Sequence, residues 1–507
     1  MKLERTRNAK KNIITGMTNK IIMILLPFAV QTTLIRTLGA EYNGLKGVFS
    51  SILQVLSLAE LGIGNALVFG MYKPIADDDI ITVCKLLNLY KKVYKWIGLF
   101  ILVMGIALAP FTPYLIKGNH PPEINVVVLF FMYLINTVLS YWLYAYKASL
   151  FNAFQRVDII NLISTGTQAL CYLLQIFILI KFKNYYAFFS VSILATVINN
   201  LILSYEADKM YPEYKCYGTV SKQFLMELKE KIKGLIVYKF CNISRNSFDN
   251  IFLSIFLGLR ITGMYNNYYY ILTSVSGIMS IISTSLLAGV GNSIASETVE
   301  KNYADMRRLN FIYMLITGWG SIFMVCLYQP FMKLWVGKDL MFSESIAGLF
   351  ALYFYIMKMG DIRAIYSDAK GLWWENRYRT IFETIINLIL NFILIQVWGV
   401  HGIIIATMLP LFLLGFIGSA LVLFRYYFQN GFNEFIRDHG IYFFVTSLVC
   451  FVTFLICKQI NYSEMIDFFL KLLMCGLIPP ILYFLIYRKS KIYNLSIEWL
   501  LLRIRGH

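Results

Sequence analysis

Charged residues are scarce in this chain of 507 residues. Asp, Glu, Lys and Arg make up 15% of it, whereas they make up roughly a quarter of an average soluble protein. Hydrophobic residues account for 58%, and the mean hydropathy is +0.63. This composition excludes a chain of several soluble domains and predicts an integral membrane protein.

The common catalytic motifs are absent as well. The chain has no GxxxxGK[ST] loop for nucleotide phosphates, no HExxH helix for zinc and no GxSxG nucleophile elbow. The apolar runs leave no large loop outside the membrane in which a polymerase or glycosyltransferase would place catalytic residues. An enzyme is therefore the weaker class, and a transporter is favoured.

Metal-binding patterns are also lacking. The four histidines are far apart, and no CxxC pair occurs among the eight cysteines. We interpret the cysteines as reduced, apolar packing residues, and we expect neither a structural metal site nor a bound cofactor. The eight are Cys84, Cys171, Cys216, Cys241, Cys326, Cys450, Cys457 and Cys475.

What the chain does contain is a series of apolar runs of about twenty residues, the length of a helix that crosses a bilayer. They predict an all-α polytopic membrane protein with about fourteen transmembrane helices. The predicted spans are residues 13–38, 45–70, 96–116, 126–150, 159–181, 186–206, 236–258, 266–292, 309–328, 346–367, 380–398, 402–424, 438–457 and 464–487.

Lys and Arg concentrate in the connections on one side of these spans. Because basic loops remain in the cytoplasm, both termini are predicted to be cytoplasmic. This asymmetry explains most of the net charge of +18, which therefore indicates neither a nucleic-acid partner nor an anionic substrate. The long connection 206–239 is Lys-rich and amphipathic, which predicts a helix on the inner membrane surface. Segment 77–95 is similar, and its run of three Asp residues is best explained as helix N-capping.

An internal repeat divides the chain. The pattern LG-x4-G follows the first span at 38–44 and the seventh at 257–263, and a GxGN motif ends the next span in each case. Two parallel six-helix repeats place a transport site between them. The predicted domains are an N-lobe (1–206), a linker (207–235), a C-lobe (236–424) and two added helices with a basic tail (425–507).

Polar residues recur at helical spacing in three spans. One such residue more often joins two helices by hydrogen bonds, but three long stripes favour a hydrated cavity. The stripes are Ser50, Gln54, Ser57 and Glu60; Asn136, Ser140, Tyr144 and Lys147; and Asn161, Thr165, Gln168, Tyr172 and Gln175.

Charged residues within the spans have two interpretations, since a charge in hydrocarbon needs either a partner or a function. In the first, Arg245 pairs with Asp249 and Lys358 pairs with Asp361. In the second, a cationic site binds a phosphate or pyrophosphate group, because guanidinium and ammonium groups bind phosphate oxygens. Its candidates are Arg36, Arg245, Lys358 and Arg363, with Gln54 and Gln168 from the polar stripes.

Oxygen-bearing residues form a second candidate site. Asp249 in the seventh span and Glu383, Asn387 and Asn391 in the eleventh offer hard ligands for Na⁺, or a proton site. This prediction requires the seventh and eleventh spans to be neighbours.

Several motifs together resemble one known family. They are RTLGAEYNGLKGVFSSILQVLSLAELGIGNAL (36–67), NSFDNIFLSIFLGLRITGMYNNY (246–268), VGNSIASE (290–297), PFMKLWVG (330–337) and ETIINLILNFILIQVWGVHGI (383–403). The chain resembles the polysaccharide-transporter branch of the MOP superfamily, that is, Wzx-like oligosaccharide flippases with MATE and MurJ as more distant relatives.

This resemblance implies two six-helix lobes and a flippase that carries undecaprenyl-diphosphate-linked oligosaccharides from the inner to the outer leaflet of a bacterial cell membrane by alternating access. Its partners would be the lipid bilayer and the polymerase and glycosyltransferases of the same pathway. The resemblance also implies a cation site at Asp249, Asn387 and Asn391, with Thr407 as a fourth member. Sodium, a proton or the membrane potential remain as alternative driving forces. A MATE-type cation-coupled antiporter is the alternative function, and a membrane polymerase or ligase comes third.

Overall fold

The structure is a computed structural model, and it describes residues 5–60, 63–118, 120–222, 226, 241 and 247–504. Every regular element within these ranges is a helix, so the all-α class is confirmed. The chain forms two compact units, Met1–Gly263 and Met264–His507. The predicted division at 206 and 236 stays a prediction, because the linker and the start of the seventh span lie mostly outside the described residues.

Unit 1 contains nine helices in its described part, and the start of a tenth. They are α1 (Arg5–Thr37), α2 (Ala40–Leu56), α3 (Ile63–Ala76), α4 (Ile80–Leu108), α5 (Val126–Trp142), α6 (Ala148–Ala153), α7 (Val157–Phe182), α8 (Tyr185–Met210), α9 (Ser247–Leu257) and α10 (Leu259–Ser296).

Side-chain caps start several of these helices. Asp79 accepts a hydrogen bond from the N–H of Thr82 at the start of α4, which confirms the predicted capping role of the Asp run. Helix α4 then continues without a break to Leu108. Residues 80–95 of the Lys-rich segment therefore belong to α4, which continues into the third predicted span, and do not form a separate surface helix. Asn125 and Asn184 cap α5 and α8 in the same way.

The two copies of the LG-x4-G pattern contact each other within unit 1. Gly39 and Gly258 have φ of +112° and +85°, which L-residues with a side chain rarely adopt. The second glycines allow close approach. A Cβ on Gly44 would lie 2.2 Å from the carbonyl oxygen of Leu259, and a Cβ on Gly263 would lie 2.0 Å from that of Ala40. The two repeats therefore use equivalent residues to make one reciprocal contact between α2 and α10.

Unit 2 contains the rest of α10 and eight further α-helices in its described part, with π-helical segments at Leu411–Gly418 and Phe424–Phe428. The eight α-helices are α11 (Val299–Trp335), α12 (Glu344–Met359), α13 (Asp361–Lys370), α14 (Arg377–Pro410), α15 (Ser419–Leu423), α16 (Phe432–Gln459), α17 (Glu464–Tyr487) and α18 (Lys491–Ile504).

Helices α16 and α17, the predicted added pair, are anchored to α11. Arg307 of α11 forms ion pairs with Glu434 (3.1 Å) and Asp438 (2.8 Å) of α16. Trp319 of α11 donates a hydrogen bond to the carbonyl oxygen of Cys475 in α17. The pair therefore forms part of the unit and is not a loose extension.

Ten helices in the described part are long and apolar enough to cross a membrane, and a bent pair at 126–153 would make eleven. One of the ten, Arg377–Phe428, contains two predicted spans, which are separated by a kink at Gly399 (φ +55°). The second predicted span is divided into α2 and α3. The seventh is present as the short apolar helix α9, because residues before it lie outside the described part. The chain is a multi-pass membrane protein.

Candidate substrate and coupling sites

A polar cavity of about 490 Å³ lies inside unit 1. It is lined by residues of α1, α2, α5, α7 and α8. Members of all three predicted polar stripes line it, so the cavity interpretation holds for these residues. They are Ser50, Gln54 and Ser57 near α2, Asn136 on α5, and Gln168, Tyr172 and Gln175 on α7.

Some lining residues also join helices. Gln175 donates to the hydroxyl of Ser192 at 2.8 Å, and Asn136 accepts from Thr196 at 2.8 Å. The remaining stripe residues lie elsewhere: the carboxylate of Glu60 accepts from Tyr94 at 2.7 Å. Polar residues in these helices therefore have both predicted roles: they line a cavity, and some of them join helices by hydrogen bonds.

Lys46 is the charged member of the cavity lining among the described residues. It lies half-buried on α2 and has neither a hydrogen bond nor an ion pair with any part of the chain that the structure describes. Sequence analysis missed this residue. The available signal was its spacing, because Lys46, Ser50 and Gln54 follow one another at intervals of one helical turn.

The predicted phosphate-binding residues are not all brought to this cavity. Gln54 and Gln168 line it, and Gln54 also accepts from Ser247 of α9 at 3.0 Å. Arg36 is exposed in the last turn of α1 and is not part of the lining. Arg245 lies outside the described residues, so its predicted pairing with Asp249 stays a prediction.

In unit 2 the structure shows the local pair at Lys358. Its ammonium lies 3.1 Å from Asp361 and 3.3 Å from the hydroxyl of Ser280. Asp361 also accepts from the hydroxyl of Tyr313 at 2.5 Å. The pairing interpretation therefore accounts for Lys358.

Arg363 is buried and joins neighbouring segments of unit 2. It donates to the hydroxyl of Ser419 and, at 3.3 Å, to the carbonyl oxygen of Gly415. These contacts connect α13 to the π-helical segment Leu411–Gly418 before α15 and to α15 itself. They give Arg363 a structural explanation that needs no substrate.

The candidate coupling residues of unit 2 lie together on α14. Asn387 donates to Thr407 and to the carbonyl oxygen of Ala406, both at 3.1 Å. Its own side-chain oxygen is buried and receives no hydrogen bond from the described residues. Glu383 forms a buried ion pair with Arg379 at 2.5 Å. Arg379, one turn before Glu383, is a residue that sequence analysis did not single out.

Asn391 is fully buried on α14. Asp249 of unit 1 is 2% exposed on α9. Each unit therefore holds buried oxygen-bearing side chains of the predicted type.

The sequence model of the family described as "Polysaccharide biosynthesis protein" matches residues 9–288, which is more than half of the chain. The chain belongs to this family. None of the curated proteins that were compared matches it.

The chain is similar in fold to solved membrane transporters. A structure described as lipid II flippase MurJ in an inward closed conformation has a TM-score of 0.66 at 16% identity, covering 94% of this chain and 98% of that one. An inward-facing multidrug resistance MATE family transporter of the MOP superfamily has a TM-score of 0.62 at 14% identity, covering 84% and 99%. The predicted MATE- and MurJ-like fold is confirmed.

Proposed function

We propose that this protein is a flippase for an undecaprenyl-diphosphate-linked oligosaccharide. It binds the head group on the cytoplasmic side of a bacterial cell membrane and releases it in the outer leaflet. The observation that carries the proposal is the polar cavity of unit 1, in which Lys46 is the cationic residue among the described lining residues.

The charge of the cavity favours a phosphate-bearing ligand. An unpaired ammonium group in a membrane protein is expensive unless an anion compensates it. A diphosphate supplies that anion, and charge-assisted hydrogen bonds to it are stronger than neutral ones. In the low dielectric of the protein interior the attraction is stronger than in water.

The neutral part of the lining favours a sugar. The amide of Gln168 can both donate and accept hydrogen bonds, as sugar hydroxyls do. Tyr172 adds an aromatic ring with a polar edge. A head group that combines a diphosphate and an oligosaccharide needs both kinds of contact.

The alternative, an antiporter of organic cations, requires a cavity of the opposite sign. No carboxylate is present among the described residues that line the cavity, and its one charge is positive. The MATE-like fold alone therefore does not favour that function over the flippase.

Alternating access needs a driving force, and we propose that the buried residues of α14 in unit 2, namely Glu383, Asn387, Asn391 and Thr407, form its coupling site. The support is the buried Asn387 oxygen, which is a suitable ligand for Na⁺. Since Arg379 already compensates Glu383, a coupled proton or Na⁺ would act through the other members.

The experiment is the replacement of Lys46. We expect Lys46→Gln to stop export, so that lipid-linked repeat units accumulate at the inner leaflet while the protein remains in the membrane. Lys46→Arg keeps the charge and should retain export in part. Lys181→Gln, which removes an exposed lysine at the end of α7, is the matched control. The readouts are surface polysaccharide and extracted lipid-linked glycan.

Normal export by Lys46→Gln would contradict the assignment of the cavity. If Lys46→Gln and Lys46→Arg fail equally while Lys181→Gln is normal, the side chain is needed for a reason other than its charge. That outcome would refute the phosphate argument.

A further inference from the structure

Three cysteines that are far apart in sequence meet in unit 2. Cys326 lies on α11, Cys457 near the end of α16 and Cys475 on α17, and all three are buried. Their sulfur atoms all lie within 4.8 Å of one another, and those of Cys457 and Cys475 are 3.9 Å apart. We call these residues the thiol cluster.

The sulfur positions match the geometry of a metal bound by three thiolates. Metal–sulfur bonds of about 2.3 Å in a trigonal arrangement place the sulfurs roughly 4.0 Å apart. A disulfide instead requires about 2.05 Å between sulfurs. We propose that the thiol cluster is a binding site for a soft monovalent metal ion, Cu(I).

The number of donors favours Cu(I) over other thiophilic ions. Structural Zn²⁺ sites are almost always four-coordinate, and Fe–S clusters need four protein ligands. Among the described residues, the thiol cluster contains three donors and no fourth from His, Asp or Glu. Thiolate ligands alone, in a three-coordinate set, are the environment that Cu(I) prefers.

An access route leads to the cluster. Cys326 and Cys457 line a polar cavity of about 670 Å³ between α11, α12, α16 and α17. Charged residues of both signs also line it, and two of its lysines are ion-paired there, Lys333 with Glu464 and Lys471 with Asp467. Binding of Cu(I) displaces three thiol protons, which leave through this cavity to solvent, and the bound site carries a net charge of −2. No electron is transferred in this step.

Plain packing of small apolar residues is the competing explanation. Cys450 illustrates it, since this thiol on α16 lies two turns before Cys457 and is not a member of the cluster. Packing does not require three sulfurs from three helices to converge. A bound ion would join α11 to the added helices α16 and α17, and its binding energy would stabilise their attachment.

The test uses the full-length protein, purified in detergent and loaded with Cu(I) without oxygen in the presence of a competing Cu(I) chelator. We expect one equivalent of copper per chain to be retained by the wild type and by Cys450→Ser. Cys326→Ser, Cys457→Ser and Cys475→Ser should each lose it. X-ray absorption of the loaded protein should show about three sulfur neighbours at about 2.3 Å.

A second measurement uses the wild type alone, so the proposal stays testable if the cysteine variants fail to fold. In the wild type, Cu(I) should protect three thiols from alkylation and raise the thermal unfolding midpoint. No retained copper, equal retention by the cluster variants, or two oxidised thiols in the purified wild type would each overturn the proposal.

Discussion

Replacing Gly44 by alanine tests the reciprocal contact between the two sequence repeats. The added Cβ would lie 2.2 Å from the carbonyl oxygen of Leu259, whereas ordinary contact begins at 3.4 Å. The neighbour is backbone and cannot rotate away, so α2 and α10 would have to separate by about 1 Å. Separation on that scale disrupts close helix packing built on small residues.

The size of the destabilisation by Gly44→Ala follows from two opposing effects. Overpacking a tight contact typically costs about 1–3 kcal/mol. Alanine in place of glycine inside a helix returns up to about 1 kcal/mol. We therefore expect Gly44→Ala to destabilise the protein by roughly 1–2 kcal/mol. Gly263→Ala should behave alike, because its Cβ would lie 2.0 Å from the oxygen of Ala40.

Gly166→Ala is the matched control, because this helical glycine of α7 has nothing within 4 Å of an added Cβ. It should be neutral or slightly stabilising. The assay is the thermal unfolding midpoint of purified protein in one detergent. The double variant Gly44→Ala/Gly263→Ala should cost less than the sum of the two single variants, since both act on one contact. Equal midpoints for Gly44→Ala and Gly166→Ala would refute the reasoning.

Three further changes probe the rest of the chain. Arg379→Ala leaves Glu383 buried without its partner and should destabilise the protein by roughly 3–5 kcal/mol. The double variant Arg379→Met/Glu383→Leu should recover most of the lost stability, measured as the thermal unfolding midpoint. Asp79→Ala should lower the thermal unfolding midpoint, and Asp79→Asn should preserve it. Hydrogen bonds at the start of α4 lower the pKa of Asp79. The stabilisation by this carboxylate is therefore present at neutral pH and is lost as acidification protonates Asp79 in the folded state. Asn387→Leu should abolish the dependence of export on the coupling ion, measured with and without a Na⁺ or proton gradient, while Thr407→Ser should retain it.

Much of the fold follows from periodicity that the sequence displays. Apolar runs of membrane length predicted the helices, and the LG-x4-G repeat identified Gly39 and Gly258 as equivalent positions, which both have positive φ in the structure. The stripe that contains Gln168 predicted one wall of the cavity. These features are local, and a helical period of 3.6 residues is enough to reveal them.

The candidate site was harder to predict from the sequence, because charge compensation depends on contacts between residues that are far apart in the chain. Arg363 lacks an acidic neighbour in sequence, yet it is bound by Ser419 and Gly415 across the fold. Lys46 stood beside a polar stripe, but only the structure shows that no described acidic residue lies against it. The convergence of the thiol cluster has no sequence signal at all, since its members come from three separate helices.

The glycine contact makes the two sequence copies partners as well as repeats. Gly44 meets Leu259, four residues before Gly263, and Gly263 meets Ala40, four residues before Gly44. Two identical subunits have this relation across a twofold axis, where each residue of one copy contacts the counterpart residue of the other. A contact of this kind is inherited intact when a dimer is fused into one chain. A change in residue size at either glycine position in a relative should therefore be accompanied by a change at the other position.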